Sequence, residues 1–391
     1  MKKYLLVIYL LLQAIGLSAQ EYHSVISPNE LWASTLQHHL DSISDKVAMQ
    51  KYTAGYCIYD LTADSVIYRY NAQNMLKPAS TQKLFVSIAA LSTLGKDYQF
   101  KTYVYIDGNI RTDNNGHRSL LGDIYIRGGY DPTLKIDDIA LIAEKINSLK
   151  IDFVDGYIFV DNRVMLDMKG IKNVAQYFGR ELCYMLNNKG ITFSSTEPYR
   201  ELSEPTERGW NLTTLYTPIA DVLTPMLKDS HNVYAECMLR NLCDTGAYTW
   251  NYDQCKDCVR SLVKEAGGNT DNYTIIDGSG LSHDNKTTPE MLTKILCYAY
   301  QNEDLFSVLY ENLPIAGEDG TLSKRMVNGS AYKNVHAKTG TLNGVSTLAG
   351  YATASNGHQL AFAILVNDIR GISIGKALQD DICRELTRQF N

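Results

Sequence analysis

The chain has no excess of basic charge and no dense run of lysine and arginine. Its 37 Lys and Arg stand against 43 Asp and Glu, a formal net charge of −6. That balance argues against a nucleic-acid partner. Past the N-terminus no stretch reaches the about 18 consecutive apolar residues of a membrane-spanning helix. No internal repeat or low-complexity tract is visible. Trp and Phe are scarce, at 3 and 9 against 27 Tyr. The aromatic content therefore carries polar edges, as strands and polar-edged surfaces use.

What is present is an ordinary globular balance, 45% apolar and 20% charged residues. This excludes disorder, collagen and coiled coil. A length of 391 residues predicts a large domain with a second unit, or two domains. Lys2 and Lys3, an apolar run over 4–12 and the small-residue end Gly16-Leu17-Ser18-Ala19 predict a signal peptide over 1–19. No Cys follows the cleavage point, so a soluble exported product is expected, without a lipid anchor or stable membrane span. Export permits disulfides among the eight cysteines. Cys255 and Cys258 form a C-x-x-C, but no second ligand pair accompanies them as a zinc site would need.

Periodicity divides the chain further. Helix is predicted over 30–46, strands over 53–61 and 65–70, and a long apolar helix after Pro78. The texture changes near Tyr98. Strands are expected over 99–106, 123–127 and 157–161, turns at Asp107-Gly108-Asn109 and 113–116, and a helix over 136–149. Helices return over 219–227, 232–241 and 289–302. Strands over 334–339, 346–354 and 359–367 follow, the last two joined by the turn Ser355-Asn356-Gly357. A helix over 375–390 closes the chain. If the terminal strands share one sheet, residues 98–205 form an inserted β-rich domain between catalytic segments 20–97 and 206–391.

Three short constellations could carry chemistry. Ser80 and Lys83 lie one helical turn apart on one face. A serine hydroxyl needs a base, and a lysine serves once burial keeps it neutral. Ser230 and Asn232 flank His231 in a tight connection. Asn232 alone would be a helix cap, and His231 is expected to be exposed and incidental. Lys338-Thr339-Gly340 ends a predicted strand, where a cation can hold a carboxylate and a glycine admits close backbone approach. Second copies of two spacings, Ser330/Lys333 and Ser27/Asn29, have no comparable context.

Each triplet is weak alone. In this order, S-x-x-K, S-x-N and K-T-G are those of the penicillin-interacting serine enzymes, and the chain resembles that group. Ser80 and Ser230 are too far apart for a class A β-lactamase. Three further stretches are similar to class C low-molecular-mass penicillin-binding proteins, the D-alanyl-D-alanine carboxypeptidase/endopeptidases. They are Gly128-Gly129-Tyr130-Asp131-Pro132-Thr133-Leu134, Asp277-Gly278-Ser279-Gly280-Leu281-Ser282 and Pro314-Ile315-Ala316-Gly317-Glu318-Asp319-Gly320-Thr321-Leu322. His231 and His283 depart from the residues commoner in that group.

The resemblance implies an α+β fold: a β-lactamase/transpeptidase-like domain with an antiparallel sheet flanked by helices. It implies Ser80 as nucleophile, Lys83 as base, Ser230 as proton relay and Asn232 as substrate and lysine holder. Lys338 and Thr339 would bind the terminal carboxylate, and the N–H groups of Ser80 and Thr341 would form an oxyanion hole. Gly280 and Leu281 would line the cleft. The implied partners are peptidoglycan peptides, with β-lactams as covalent inhibitors, in a bacterial periplasm. No metal or organic cofactor is implied. The rival readings are a β-lactamase or esterase on the same scaffold, and an inactive wall-binding scaffold.

Overall fold

The computed structural model describes residues 28–168, 170–203, 208–243 and 251–389. The expected signal peptide and Ser27 lie outside them. Among the described residues no helix is long and apolar enough to cross a membrane.

Helix α1 (Pro28–Ala48) precedes the hairpin β1 (Thr53–Asp60) and β2 (Ser65–Tyr70). Asp60 Oδ1 accepts from the N–H groups of Thr62 and Ala63, both at 2.9 Å, which closes the turn between them. A 3-10 turn, Ala79–Thr81, then runs into α2 (Gln82–Leu94).

The second unit follows: β3 (Gln99–Thr112), β4 (Arg118–Arg127), α3 (Ile136–Asn147), β5 (Phe153–Asp155), β6 (Ile158–Asp161), α4 (Val174–Asn188), β7 (Thr192–Phe193), β8 (Tyr199–Leu202) and β9 (Trp210–Pro218). The chain returns through α5 (Ile219–Lys228), α6 (Asn232–Asn241), α7 (Tyr252–Glu265), α8 (Pro289–Tyr300) and α9 (Glu303–Glu311). It ends in β10 (His336–Leu342), β11 (Val345–Thr353), β12 (Gln359–Asn367) and α10 (Ile372–Thr387).

The first sheet has the order β10-β11-β12-β1-β2, and every pair in it is antiparallel. Its central strands are apolar on both faces because helices cover both. Ala361, Ala363 and Leu365 of β12 pack into the cluster formed with α2 and α5–α9. Phe362, Ile364 and Val366 point the other way, toward α1 and α10. This is the period-two alternation of a strand, with each set buried in its own layer.

The second sheet is mixed. β3 pairs antiparallel with β4 and β9, whereas β5 and β6 run parallel to β4. Its core is completed by α3 and α4. The 98–205 stretch, expected as β-rich with one helix, therefore carries a second one. Phe178, Leu182 and Leu186 put its apolar stripe on the sheet, and Asn173 caps it by accepting from Gln176 N–H at 2.9 Å. Strand β9 lies past residue 205, because it pairs along β3 from Gln99 to Ile106.

The expected turn at Asp107-Gly108-Asn109 is absent, and β3 runs straight through it. Gly108 faces Gly122 across the ladder, and a Cβ at Gly108 would stand 2.4 Å from the Leu121 carbonyl oxygen. These glycines serve close backbone approach, not chain reversal.

Of the eight cysteines, Cys243 and Cys255 are bridged, and the other six are free thiols. The bridge joins the end of α6 to the start of α7.

Candidate active site

Ser80 sits in the 3-10 turn that enters α2, immediately after a left-handed residue, Ala79 at φ 47°. Three donors converge on the Pro78 carbonyl to hold this turn. They are Thr81 N–H at 3.3 Å, Thr81 Oγ1 at 2.6 Å and Thr347 Oγ1 of β11 at 2.7 Å. The Ser80 turn is therefore pinned directly to the first sheet.

Lys83 is fully buried one turn on. Its Nζ lies 2.9 Å from Ser80 Oγ, 2.8 Å from Asn232 Oδ1 and 2.7 Å from the Ser279 carbonyl oxygen. Two of these partners, the amide oxygen and the carbonyl, only accept. They take the two N–H groups of a neutral amine, and the lone pair is left facing the Ser80 hydroxyl. Burial pushes the Lys83 ammonium down to about 7, while the charges of Glu236 and Asp277 pull it back up. Geometry and lowered proton affinity together leave an amine facing a serine hydroxyl.

Asn232 is the first residue of α6 and makes no cap; its side chain is committed to Lys83. Ser230 stands at the α5–α6 connection in a left-handed conformation, φ 61°. Its hydroxyl is not among the three groups within hydrogen-bond distance of Lys83 Nζ. His231 is not exposed as expected. It is half-buried, with its ring edge-on to Tyr234 at a centroid distance of 4.6 Å, because it folds over the first turn of α6.

Lys338 on β10 is fully buried, and its Nζ donates to the Thr339 carbonyl at 2.9 Å. Burial and then the Lys83 charge push its ammonium down, with Asp229 opposing them. Thr339 Oγ1 donates to Thr321 Oγ1 at 2.7 Å, which ties the strand to the loop before it. The far side of that loop is held by the Lys228–Asp319 ion pair.

Gly340 was expected to admit a ligand. Here the close approach is internal. A Cβ on it would stand 2.1 Å from Thr347 Oγ1 and 2.9 Å from both Pro78 O and Ser80 N. The bare backbone lets β10 and the Ser80 turn touch. Thr341, one residue on, is exposed at the edge of the same strand. Gly280 plays the matching part on the other side: at φ +81°, its Cβ would stand 1.8 Å from the Ala79 carbonyl oxygen. Leu281 is 59% exposed beside it.

Several participants were given no individual role from sequence, although Asp277 and Ser279 lie in the 277–282 stretch that carries the resemblance. Asp277 organises the 277–282 turn: Oδ1 accepts from Gly280 N–H at 2.6 Å and Oδ2 from Ser282 N–H at 2.7 Å. Glu236 accepts from Ser279 N–H at 2.9 Å. It lies four residues after Asn232, so i, i+4 spacing on a helix could have pointed to it. The Ser279 carbonyl is a backbone acceptor, so the 277–282 motif marks its segment but not its role. The second S-x-x-K copy is not a site. Ser330 bonds Thr387 at 2.9 Å, and Lys333 pairs with Glu318 at 2.6 Å on the surface.

Comparison with known proteins adds family information. The pattern of the D-Ala-D-Ala carboxypeptidase 3 (S13) family matches residues 36–174 and 168–389. The chain is similar to D-alanyl-D-alanine carboxypeptidase DacB of Haemophilus influenzae, with 24% identity over 418 residues, covering 80% of this chain and 85% of that protein. It is also similar to D-alanyl-D-alanine carboxypeptidase of Actinomadura sp., with 23% identity over 460 residues, covering 90% and 84%. Among solved structures, penicillin binding protein 4 of H. influenzae shares the fold at a TM-score of 0.75 and 22% identity, covering 88% of this chain and 98% of that one. That protein has also been solved in complex with a β-lactam.

Proposed function

The chain belongs to the D-Ala-D-Ala carboxypeptidase 3 (S13) family of serine hydrolases, and from that premise we propose that it cleaves peptidoglycan stem peptides through an acyl-enzyme on Ser80. The observation that carries this reading is the buried Lys83 amine 2.9 Å from Ser80 Oγ, with its two other partners able only to accept.

The Ser80 oxygen attacks the carbonyl of the penultimate D-alanine, and its proton passes to Lys83 Nζ. The N–H groups of Ser80 and Thr341 stabilise the oxyanion. As the C–N bond breaks, the proton returns through Ser230 to the leaving amine of the terminal D-alanine. Water then attacks the ester, gives a proton to Lys83 and frees Ser80. Asn232 holds the substrate amide, and Lys338 with Thr339 holds the terminal carboxylate. Gly280 shapes the cleft wall and Leu281 offers it an apolar side chain. The same acyl chemistry serves an endopeptidase cut between stem peptides, and β-lactams acylate Ser80 as mimics of the D-Ala-D-Ala end.

The reading assigns residues 1–19 to export and the mature chain to the periplasm. It keeps a catalytic unit of 20–97 and 206–391 around an insertion at 98–205, with β9, past that boundary, completing the inserted sheet as the chain returns.

Intact-protein mass after mixing with benzylpenicillin tests it, with Ser80→Ala alongside. A persistent adduct on the parent and none on the variant is the expected result. An equal adduct on Ser80→Ala overturns the assignment. A brief adduct with consumption of the penicillin favours a β-lactamase, and neither adduct nor consumption favours an inactive scaffold.

A further inference from the structure

We propose that Glu236 is a positioning residue for this reaction, one that grips the Ser279 peptide N–H and so keeps the Ser279 carbonyl on Lys83 and the amine's lone pair on Ser80. The inference rests on the Ser80–Lys83 reading above.

Lys83 is aimed by two acceptors, Asn232 Oδ1 and the Ser279 carbonyl. The first belongs to α6 outright. The second comes from the 277–282 turn, a separate segment that has no covalent reason to stay in register with α6. Glu236, one turn beyond Asn232, makes the connection. Its Oε1 accepts from Ser279 N–H at 2.9 Å, and its Oε2 accepts from Tyr252 Oη of α7 at 2.7 Å. One helix thereby sets both N–H directions of the amine, and with them the direction of the lone pair. Asp277 holds the same turn through the N–H groups of Gly280, Leu281 and Ser282. The contact on the Ser279 N–H itself is made by Glu236.

A carboxylate in that place also has an electrostatic effect that a neutral acceptor would lack. The charged groups acting on Lys83 are Glu236 from α6 and Asp277 from the turn, both raising its proton affinity. The Lys338 ammonium on β10 is coupled to it with the opposite sign. Tyr252 is kept as the neutral donor by burial and by the Glu236 charge, with Arg240 acting the other way. Glu236 therefore aligns the base and limits how far burial can discharge it.

The two effects separate in Glu236→Gln and Glu236→Ala. The measurement is the rate of Ser80 acylation by benzylpenicillin against pH, read by intact mass. Gln retains an acceptor for Ser279 N–H but no charge. Its plateau is expected within about twofold of the parent, with the acid limb moved to lower pH by about half a pH unit or more. Ala loses the grip, and its plateau is expected to fall at least about tenfold at every pH. A Glu236→Ala plateau within twofold of the parent overturns the proposal, and so does an unmoved acid limb in Glu236→Gln. If the Ala variant does not fold, the limb of the Gln variant decides. An unlabelled parent removes the Ser80 reading itself; a labelled parent with unchanged variants removes only this inference.

Discussion

Acylation of Ser80 should follow the discharge of Lys83. An ordinary lysine, with a pKa of about 10.4, is neutral to about 4 parts in 10,000 at pH 7. With the Lys83 ammonium pushed down to about 7, half the molecules carry a free amine at that pH, a gain of about 10³ in competent enzyme. Below pH 7 that fraction falls about tenfold per pH unit, to about 1% at pH 5. The perturbation is pH alone, between 5 and 9, with benzylpenicillin in excess and the adduct counted by quenched intact-mass measurement. The rate constant should rise with unit slope and reach half its plateau near pH 7. A rate flat from pH 5 to 8, or one that rises only above pH 9, would refute the reasoning. The same burial has a stability counterpart. The folded pKa lies below the unfolded one, so the unfolded chain holds the extra proton between about pH 7 and about pH 10.4. The cost of burying Lys83 is complete below that window and fades as pH rises through it. Urea midpoints of the parent should therefore gain on those of Lys83→Met as pH climbs from 7 to 9.

Two substitutions probe the β10 side. Lys338→Ala removes the buried cation assigned to the terminal carboxylate, and a loss of about 2 kcal/mol there corresponds to about 30-fold in kcat/KM. A neutral ester should lose much less, and an equal loss on both substrates would remove that role. Gly340→Ala places a methyl in the contact between β10, Thr347 and the Ser80 turn. Overpacking of this kind costs about 1–3 kcal/mol, so the melting temperature should drop and acylation should slow together. An unchanged melting temperature with an unchanged acylation rate would mean that the contact is dispensable.

The site was legible where side chains carry the chemistry at short spacing. Ser80 and Lys83 are three apart at a helix start, so their meeting needs only helical geometry, and Asn232 and Lys338 were singled out by residue type and context, Asn232 then meeting Lys83. What escaped is what tertiary structure supplies. The Ser279 carbonyl is a backbone atom common to every residue. Glu236 had a signal in its spacing from Asn232, but its acceptor role exists only once the 277–282 turn is docked. In the fold, the β11–β12 hairpin was readable from its apolar runs and Asn356-Gly357. Gly108 was misread because glycine marks both turns and close strand approach, and only the facing Gly122 distinguishes them. Helix α4 has a readable stripe in Phe178, Leu182 and Leu186 that was passed over, and the pairing of β9 with β3 depends on contacts between residues distant in the chain.

The strand order of the first sheet also sets a timetable. β1 is complete at Asp60, yet its central neighbour β12 begins at Gln359. Synthesis at about 5–20 residues per second puts on the order of 15–60 s between the two. For that interval the N-terminal hairpin has one edge open and its apolar residues Ala54, Tyr56 and Ile58 without their final cover. The β3–β9 sheet draws on one continuous stretch of chain and can close long before. The molecule is thus built from the middle outward. The Ser80 turn has only a provisional seat until β11 delivers Thr347 to the Pro78 carbonyl, and a chain stopped short of β12 leaves a central strand exposed as an edge open to aggregation.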